Sequence, residues 1–583
     1  MLSILPRGFA AALLIGLLPL PLLAQDQDTT AQQLPEIAPR EIEIRGELQV
    51  SFPSLERQPL RGFASPPTVP GVPQDHTPFL QPYKQELEQL PESLPTPELA
   101  TTSFSRPAPP ETGYMEVGGG RYASRFAEGH LTVPLTARQT LSLNADYFGT
   151  AGFSPFSGTA SGVETPTDQA DAELRFESRH DGVTLRAFAH GAGSRYTLYG
   201  EPMLALSPSA EAPERSHASG GLGAAIQTYG TVDSRVELTY DRTAYDTDFP
   251  TTTETFREGR LGVDGRLTAP LGASELDLDV TAARSTYGGD VTDDSGYEVG
   301  AGLSALLAET DRLSVRAGGR VLRFEAPATP RAPTPGTAEA TFIVPQVRAE
   351  FSLAPGATLF AENAPALTRR GLSELYLQNP YAVHAPSVRP TLYTTRAESG
   401  VRVGLGPVQL RGQVGFRYAP SYRYFLSPGS GAPSPSGLQD PGLAVEYGSA
   451  RILHGGAELA LQGVRPVEAA LRLSVRDGTL VGPDVALPYF SPVVAEGLFS
   501  VSFADQRGLL QTTGTVESPR PVGRAGSREV DTYVSFDVEG SYEVTSLLDV
   551  VLEVRNLSPS PPERWARYPR PPAILSGGFR IHW

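Results

Sequence analysis

Ile574-Leu575-Ser576-Gly577-Gly578-Phe579-Arg580-Ile581-His582-Trp583, the last ten residues, decide how the chain is read. Leu575, Gly577, Phe579, Ile581 and Trp583 fall on one side of an extended strand; Ser576, Gly578, Arg580 and His582 fall on the other. Alternation of period two that runs to an aromatic at the final residue is how the closing strand of an outer-membrane β-barrel reads. An edge strand ending a soluble domain would carry the same pattern, so the rest of the chain has to choose between them.

Outward from that strand the same texture recurs. Ala172, Leu174 and Phe176 alternate with Asp171, Glu173, Arg175 and Glu177; Leu276, Leu278 and Val280 alternate with Glu275, Asp277 and Asp279. Val408 to Tyr418, with Gln409, Arg411, Gln413 and Arg417 on its polar side, and Val534 to Gly540 repeat it. A soluble sandwich tolerates charges on its wet face, but runs of about 9–11 residues are the length of tilted membrane-crossing strands. The connections alternate too. Short turns near Ala137-Arg138, His180-Asp181-Gly182, Thr231-Val232-Asp233, Glu309-Thr310-Asp311, Ala354-Pro355-Gly356, Gly406-Pro407 and Val464-Arg465-Pro466 are separated by long polar links. Those links lie near 150–168, 200–215, 246–254, 287–295, 327–339, 364–395, 420–443 and 478–493. Short periplasmic turns against long external loops are the topology of an outer-membrane barrel. Counted this way, the chain is all-β: a transmembrane antiparallel β-barrel of about 22 strands with both ends in the periplasm.

The barrel reading covers 113–583, opening with Gly113-Tyr114-Met115-Glu116-Val117. Ahead of it, residues 1–24 read as a signal peptide: Arg7, an apolar run from Phe9 to Leu23, and Ala24 at the exit. Gly16, Pro19 and Pro21 break that run and argue against a membrane anchor. Residues 25–112 are a Pro-rich, largely extended segment, read either as a plain linker or as a piece that threads the lumen or docks on a periplasmic or lipoprotein partner. Within it, Glu41 to Val50 alternates like a strand and Tyr83 to Leu90 has helical character.

Composition removes whole classes. The chain has no cysteine, which excludes disulfides and thiolate metal sites. A net charge of −17 argues against nucleic acid, which selects basic surfaces. Lys84 is the only lysine, consistent with a GC-rich genome or with an acidic surface suited to high salt. The eight histidines are scattered without metal-ligand spacing, so no metal and no cofactor is expected. No G-x-S-x-G elbow or phosphate loop occurs, and an enzyme is not expected. Gly300-Ala301-Gly302 sits in continuing alternation rather than ahead of a helix, and Asp290 to Asp294 misses calcium-loop spacing.

Four stretches resemble the barrel of TonB-dependent outer-membrane receptors. Gly113 to Tyr122, Ala127 to Pro134 and Leu141 to Tyr147 look like the first three strands of that family. Thr358-Leu359-Phe360-Ala361, Leu372-Ser373-Glu374-Leu375-Tyr376, Asn379-Pro380, Val388-Arg389-Pro390 and Glu398-Ser399-Gly400-Val401-Arg402 resemble its mid-barrel motif. Leu552 to Leu557, Tyr568-Pro569 and the closing strand resemble its terminal signature, with Pro571-Pro572-Ala573 in place of the usual Pro-Gly-Arg. The closing Phe579, Ile581 and Trp583 resemble the signal read by the barrel-assembly machinery. The resemblance implies a protein of the outer membrane of a Gram-negative-type bacterium, facing outer-membrane lipid. Family members carry a folded plug, and 25–112 is too short and Pro-rich for one, so the expectation is a plugless relative. Solute passage or ligand binding through a lumen lined by Glu173, Arg175, Asp277, Asp279, Arg411 and Arg417, with outer loops 364–395 and 420–443 setting specificity, is the function implied. The alternative is a scaffold barrel docking partners through 25–112.

Overall fold

A computed structural model describes residues 113–155, 164–200, 212–249, 252–272, 274–290, 294–327, 339–368, 371–384, 386, 388–426, 442–523, 528–558 and 563–583. The expectations for the signal peptide, the Pro-rich segment and the plug concern residues 1–112 and lie outside these.

Twenty-two long antiparallel strands pair each with the next, from Gly113–Gly120 to Ile574–His582. The last then pairs with the first, Tyr114 opposite His582 and Gly120 opposite Ser576, so the sheet closes on itself. Closure removes every sheet edge, which lipid would not tolerate. The seam depends on glycine: a Cβ on Gly120 would stand 2.0 Å from the Leu575 carbonyl oxygen, and one on Gly118 2.5 Å from that of Gly577. Across the seam Arg580 pairs with Glu116 at 2.6 Å, and away from it with Glu539 at 3.3 Å.

The two faces of each strand differ as the alternation requires. Leu222, Leu261, Val414, Leu453, Leu552 and Phe579 are among the many apolar side chains exposed on the outside, where lipid rather than water is the partner. The opposite face carries ion pairs linking adjacent and next-nearest strands. Arg316 reaches Glu275 at 2.5 Å and also holds Asp277, and Arg472 lies between Glu458 at 2.9 Å and Glu496 at 3.5 Å.

One rim carries tight turns, the other long links. At Ala354-Pro355-Gly356-Ala357, proline presets the second position and Gly356, at φ +80°, fills the third, the geometry of a type II turn. At the other rim one boundary differs from expectation. Residues 420–426 are not part of the link: the strand Val408–Leu426 continues through a bulge between Ala419 and Tyr422. The irregular pairing there accommodates Pro420, which reads in sequence as a stop. Several strands, Ala444–Val464 the longest at 21 residues, exceed the 9–11 a bilayer needs and extend the wall beyond it at this rim.

Candidate functional site at the loop rim

The link between the strands Ala357–Asn363 and Thr395–Leu405 folds inward instead of out into solvent. It contains a single helix, Leu372–Gln378, bounded by Gly371 and by Asn379-Pro380. Seven residues cannot hold a helix by propensity, so packing must. Leu372, Leu375 and Tyr376 are buried against Tyr245, Phe256 and Tyr287, which belong to the strands Asp233–Asp248, Thr253–Leu271 and Ser274–Gly289. The same cluster takes in Tyr199, Phe425, Trp565 and Tyr568. Counted around the barrel, the segment's own strands are the thirteenth and fourteenth, while its contacts come from the seventh to the ninth and from the link before the twenty-second. A barrel of this strand number is roughly 40–45 Å across. A segment touched from three separated arcs of such a wall lies over the lumen, so it forms a cap across the mouth. Its returning leg is pinned on the near side by Leu392, buried with Leu322, Phe324 and Val344.

Polar contacts hold the cap across the gap. Gly371 supplies no capping side chain, and the carboxylate of Glu258 accepts from the Leu372 amide at 2.6 Å instead. This approach needs glycine, since a Cβ on Gly371 would lie 2.8 Å from that carboxylate oxygen. The other oxygen of Glu258 accepts from the Tyr287 hydroxyl at 3.1 Å. Arg215, fully buried, donates to the carbonyls of Pro380 and Ala382, both at 2.9 Å, and to the Thr247 hydroxyl at 3.0 Å. Its guanidinium also stacks 4.5 Å above the Tyr376 ring. His384, buried as well, meets Thr247 Oγ1 at 2.9 Å and stands 4.0 Å from the Glu254 carboxylate.

Aromatic rings add to these contacts. Tyr381 stacks on Tyr568 at 4.0 Å, Tyr199 packs edge-on to both, and the Tyr381 hydroxyl donates to that of Tyr199 at 3.1 Å. Burial pushes both phenols above the usual tyrosine range, Tyr199 well above, so they stay neutral. Trp565 contacts Phe425 and Tyr489 at 5.2 and 4.8 Å between ring centres.

Among the described residues, three sizeable cavities open at or below the cap. A cavity of about 610 Å³ lies between it and the third to seventh strands, lined by Phe153, Tyr196, Tyr199, Tyr245, Tyr376 and Tyr381 among others. A second, of about 470 Å³, has Arg417, Arg476, Arg520 and Arg564 in its wall. The third, of about 550 Å³, is faced by Glu116, Glu128, Asp146, Glu539 and Glu553, with Arg555 the one arginine in its lining. Among the described residues no group of three or more potential metal ligands exists.

The six residues expected in the lumen do not gather into one site. Glu173 and Arg175 pair with each other at 2.6 Å, Asp277 pairs with Arg316, and Asp279 with Arg320 at 2.6 Å. Arg411 lies 2.8 Å and Arg417 4.0 Å from Glu398. Of the six, only Arg417 lines one of the three cavities. Sequence reasoning passed over Arg215, Arg476, Arg520, Arg564 and Trp565. The run Arg564-Trp565-Ala566-Arg567-Tyr568-Pro569-Arg570 was the available signal, being far richer in arginine and aromatics than a solvated loop requires.

Neither a family model nor a curated protein matches the chain. Solved structures do. The ferric-catecholate import receptor Fiu from K12 E. coli superposes with a TM-score of 0.60 at 12% identity, over 82% of this chain and 82% of that one. The copper transporter OprC gives 0.58 at 13% identity over 81% and 80%. The pyoverdine receptor FpvA from Pseudomonas aeruginosa PAO1, bound to pyoverdine, gives 0.60 at 12% identity over 82% and 79%. At such identities the likeness is one of fold. The chain has the 22-stranded barrel fold of the TonB-dependent receptors and, with it, the build of a protein of the Gram-negative outer membrane.

Proposed function

We propose that the protein is an outer-membrane receptor that takes up a solute at the capped mouth and passes it through the lumen. The cap carries the reading: a segment anchored across the lumen by Arg215 and Glu258 closes the mouth while leaving a cavity of about 610 Å³ beside it. Concave, largely aromatic cavities with a few fixed polar groups are where small ligands bind. A barrel serving only as scaffold has no need of a latched mouth. The structural neighbours support the reading, since they are an import receptor, a transporter and an outer-membrane receptor. The lumen charges at Glu173, Arg175, Asp277, Asp279, Arg411 and Arg417 would then tune passage as charged rings do in pores.

The test is conductance of the purified chain in planar bilayers, wild type against a variant deleted in 371–384. The expected result is a closed or rarely open wild type and a steadily conducting variant. Equal conductance from both would remove the cap as a gate. Silence from both would turn the reading towards a scaffold.

A further inference from the structure

The chain carries a net charge of −17, yet one lumenal cavity is basic. Its wall presents Arg417, Arg476, Arg520 and Arg564 against a single carboxylate, Glu517. Glu517 is committed: it pairs with Arg520 and, at 3.3 Å, with Arg564. The other two guanidinium groups are poorly compensated. Arg476 donates to the Ser491 carbonyl at 2.9 Å and stacks 4.6 Å from the Phe490 ring, and it has no ion-pair partner among the described residues. Arg417 stands 4.0 Å from Glu398, a carboxylate it shares with Arg411 at 2.8 Å and His454 at 3.5 Å. Its Nε is buried without a hydrogen bond.

Guanidinium charge left over once the cavity's single carboxylate is committed favours an anion beside it. Guanidinium forks suit the planar, two-oxygen geometry of carboxylate and phosphate. The five carboxylates lining the third cavity would repel an anion, and the 610 Å³ cavity balances Arg570 with Asp171, so the surplus of positive charge lies at the basic wall. Trp565, Tyr489 and Phe490 beside the arginines offer apolar surface for the rest of a solute.

We propose that this cavity is a binding site for an oxyanion group, carboxylate or phosphate, of the solute that the barrel takes up, with Arg417 and Arg476 as its principal contacts. The inference rests on the reading of the lumen as a solute passage. The test is equilibrium dialysis of the full chain in detergent against radiolabelled citrate and inorganic phosphate, with glucose and spermidine as neutral and cationic controls. At low salt one anion binds per chain, glucose and spermidine do not, and added salt weakens the binding. Arg417→Gln and Arg476→Gln each weaken it about tenfold, the effect of losing one charge-assisted hydrogen bond, while Arg138→Gln, at the turn rim, leaves it unchanged. Whichever of citrate and phosphate binds identifies the group. Failure of both to bind, salt-independent binding, or variants that bind as wild type does would overturn the proposal; the salt series needs no variant and so survives a folding defect. Anion binding without conductance would sink the passage and keep the site. Conductance without binding would do the reverse.

Discussion

Replacing Arg215 by methionine keeps most of the apolar stem and removes the donors that tie the cap to the wall. Two hydrogen bonds to cap carbonyls go, at Pro380 and Ala382. Pro380 keeps the Tyr196 hydroxyl at 3.1 Å, so Ala382 bears most of the loss. Hydrogen bonds to charged donors contribute about 1.5–3 kcal/mol each, and the two are not additive because one acceptor remains served. A net loss of about 3 kcal/mol raises the open population of the cap roughly 100-fold. Hydrogen exchange reads this directly. The amides of Leu375, Asn379 and Ala382 are bonded within the cap, to the carbonyls of Gly371, Leu375 and Asn379. They should exchange about 100-fold faster in Arg215→Met, while amides of the Thr395–Leu405 strand, bonded in the barrel ladder, keep wild-type rates. Unchanged cap amides would refute the latch. Uniform acceleration across cap and strand would mean that Arg215 stabilises the whole barrel instead.

Other consequences can be checked separately. Gly120→Val forces a Cβ into the space 2.0 Å from the Leu575 carbonyl oxygen; the seam cannot close, and the compact, heat-modifiable band on electrophoresis should be lost. Glu258→Ala removes the acceptor for the Leu372 amide and should loosen the helix by about 1 kcal/mol, the usual cost of a lost cap, seen as faster exchange at Leu372 with barrel stability kept. Trp583 is half exposed on the outer face, so Trp583→Ala should refold normally in detergent but assemble poorly in cells; poor refolding in detergent would assign Trp583 to packing rather than to assembly. Arg316→Gln frees Glu275 and Asp277 in the lumen. In a capless background it should raise the preference for cations over anions, measured as a shift in reversal potential under a salt gradient.

The alternation of Leu575 to Trp583, the charged faces of 171–177 and 275–279, and the odd–even rhythm of turns and links were enough to specify an antiparallel barrel of about 22 strands. These are local properties. Each strand carries its own two faces, and many turns carry their own proline or glycine, so no distant residue is needed to read them. The overrun of the Val408–Leu426 strand past Pro420 already exceeds that local logic, because a bulge settles it through pairing with the next strand. The mouth lies further out of reach. Arg215 meets Pro380, Tyr199 meets Tyr381 and Tyr568, and Trp565 meets Phe425 only because closure sets strands far apart in sequence on facing arcs of one rim. The basic cavity has the same origin: Arg417, Arg476, Arg520 and Arg564 share no motif and are gathered by strand order alone. The chain's alternation determined that a barrel forms and about how many strands it has. Only the closed barrel decided what covers its mouth and where its uncompensated charge collects, because those depend on distances across the lumen that no stretch of sequence contains.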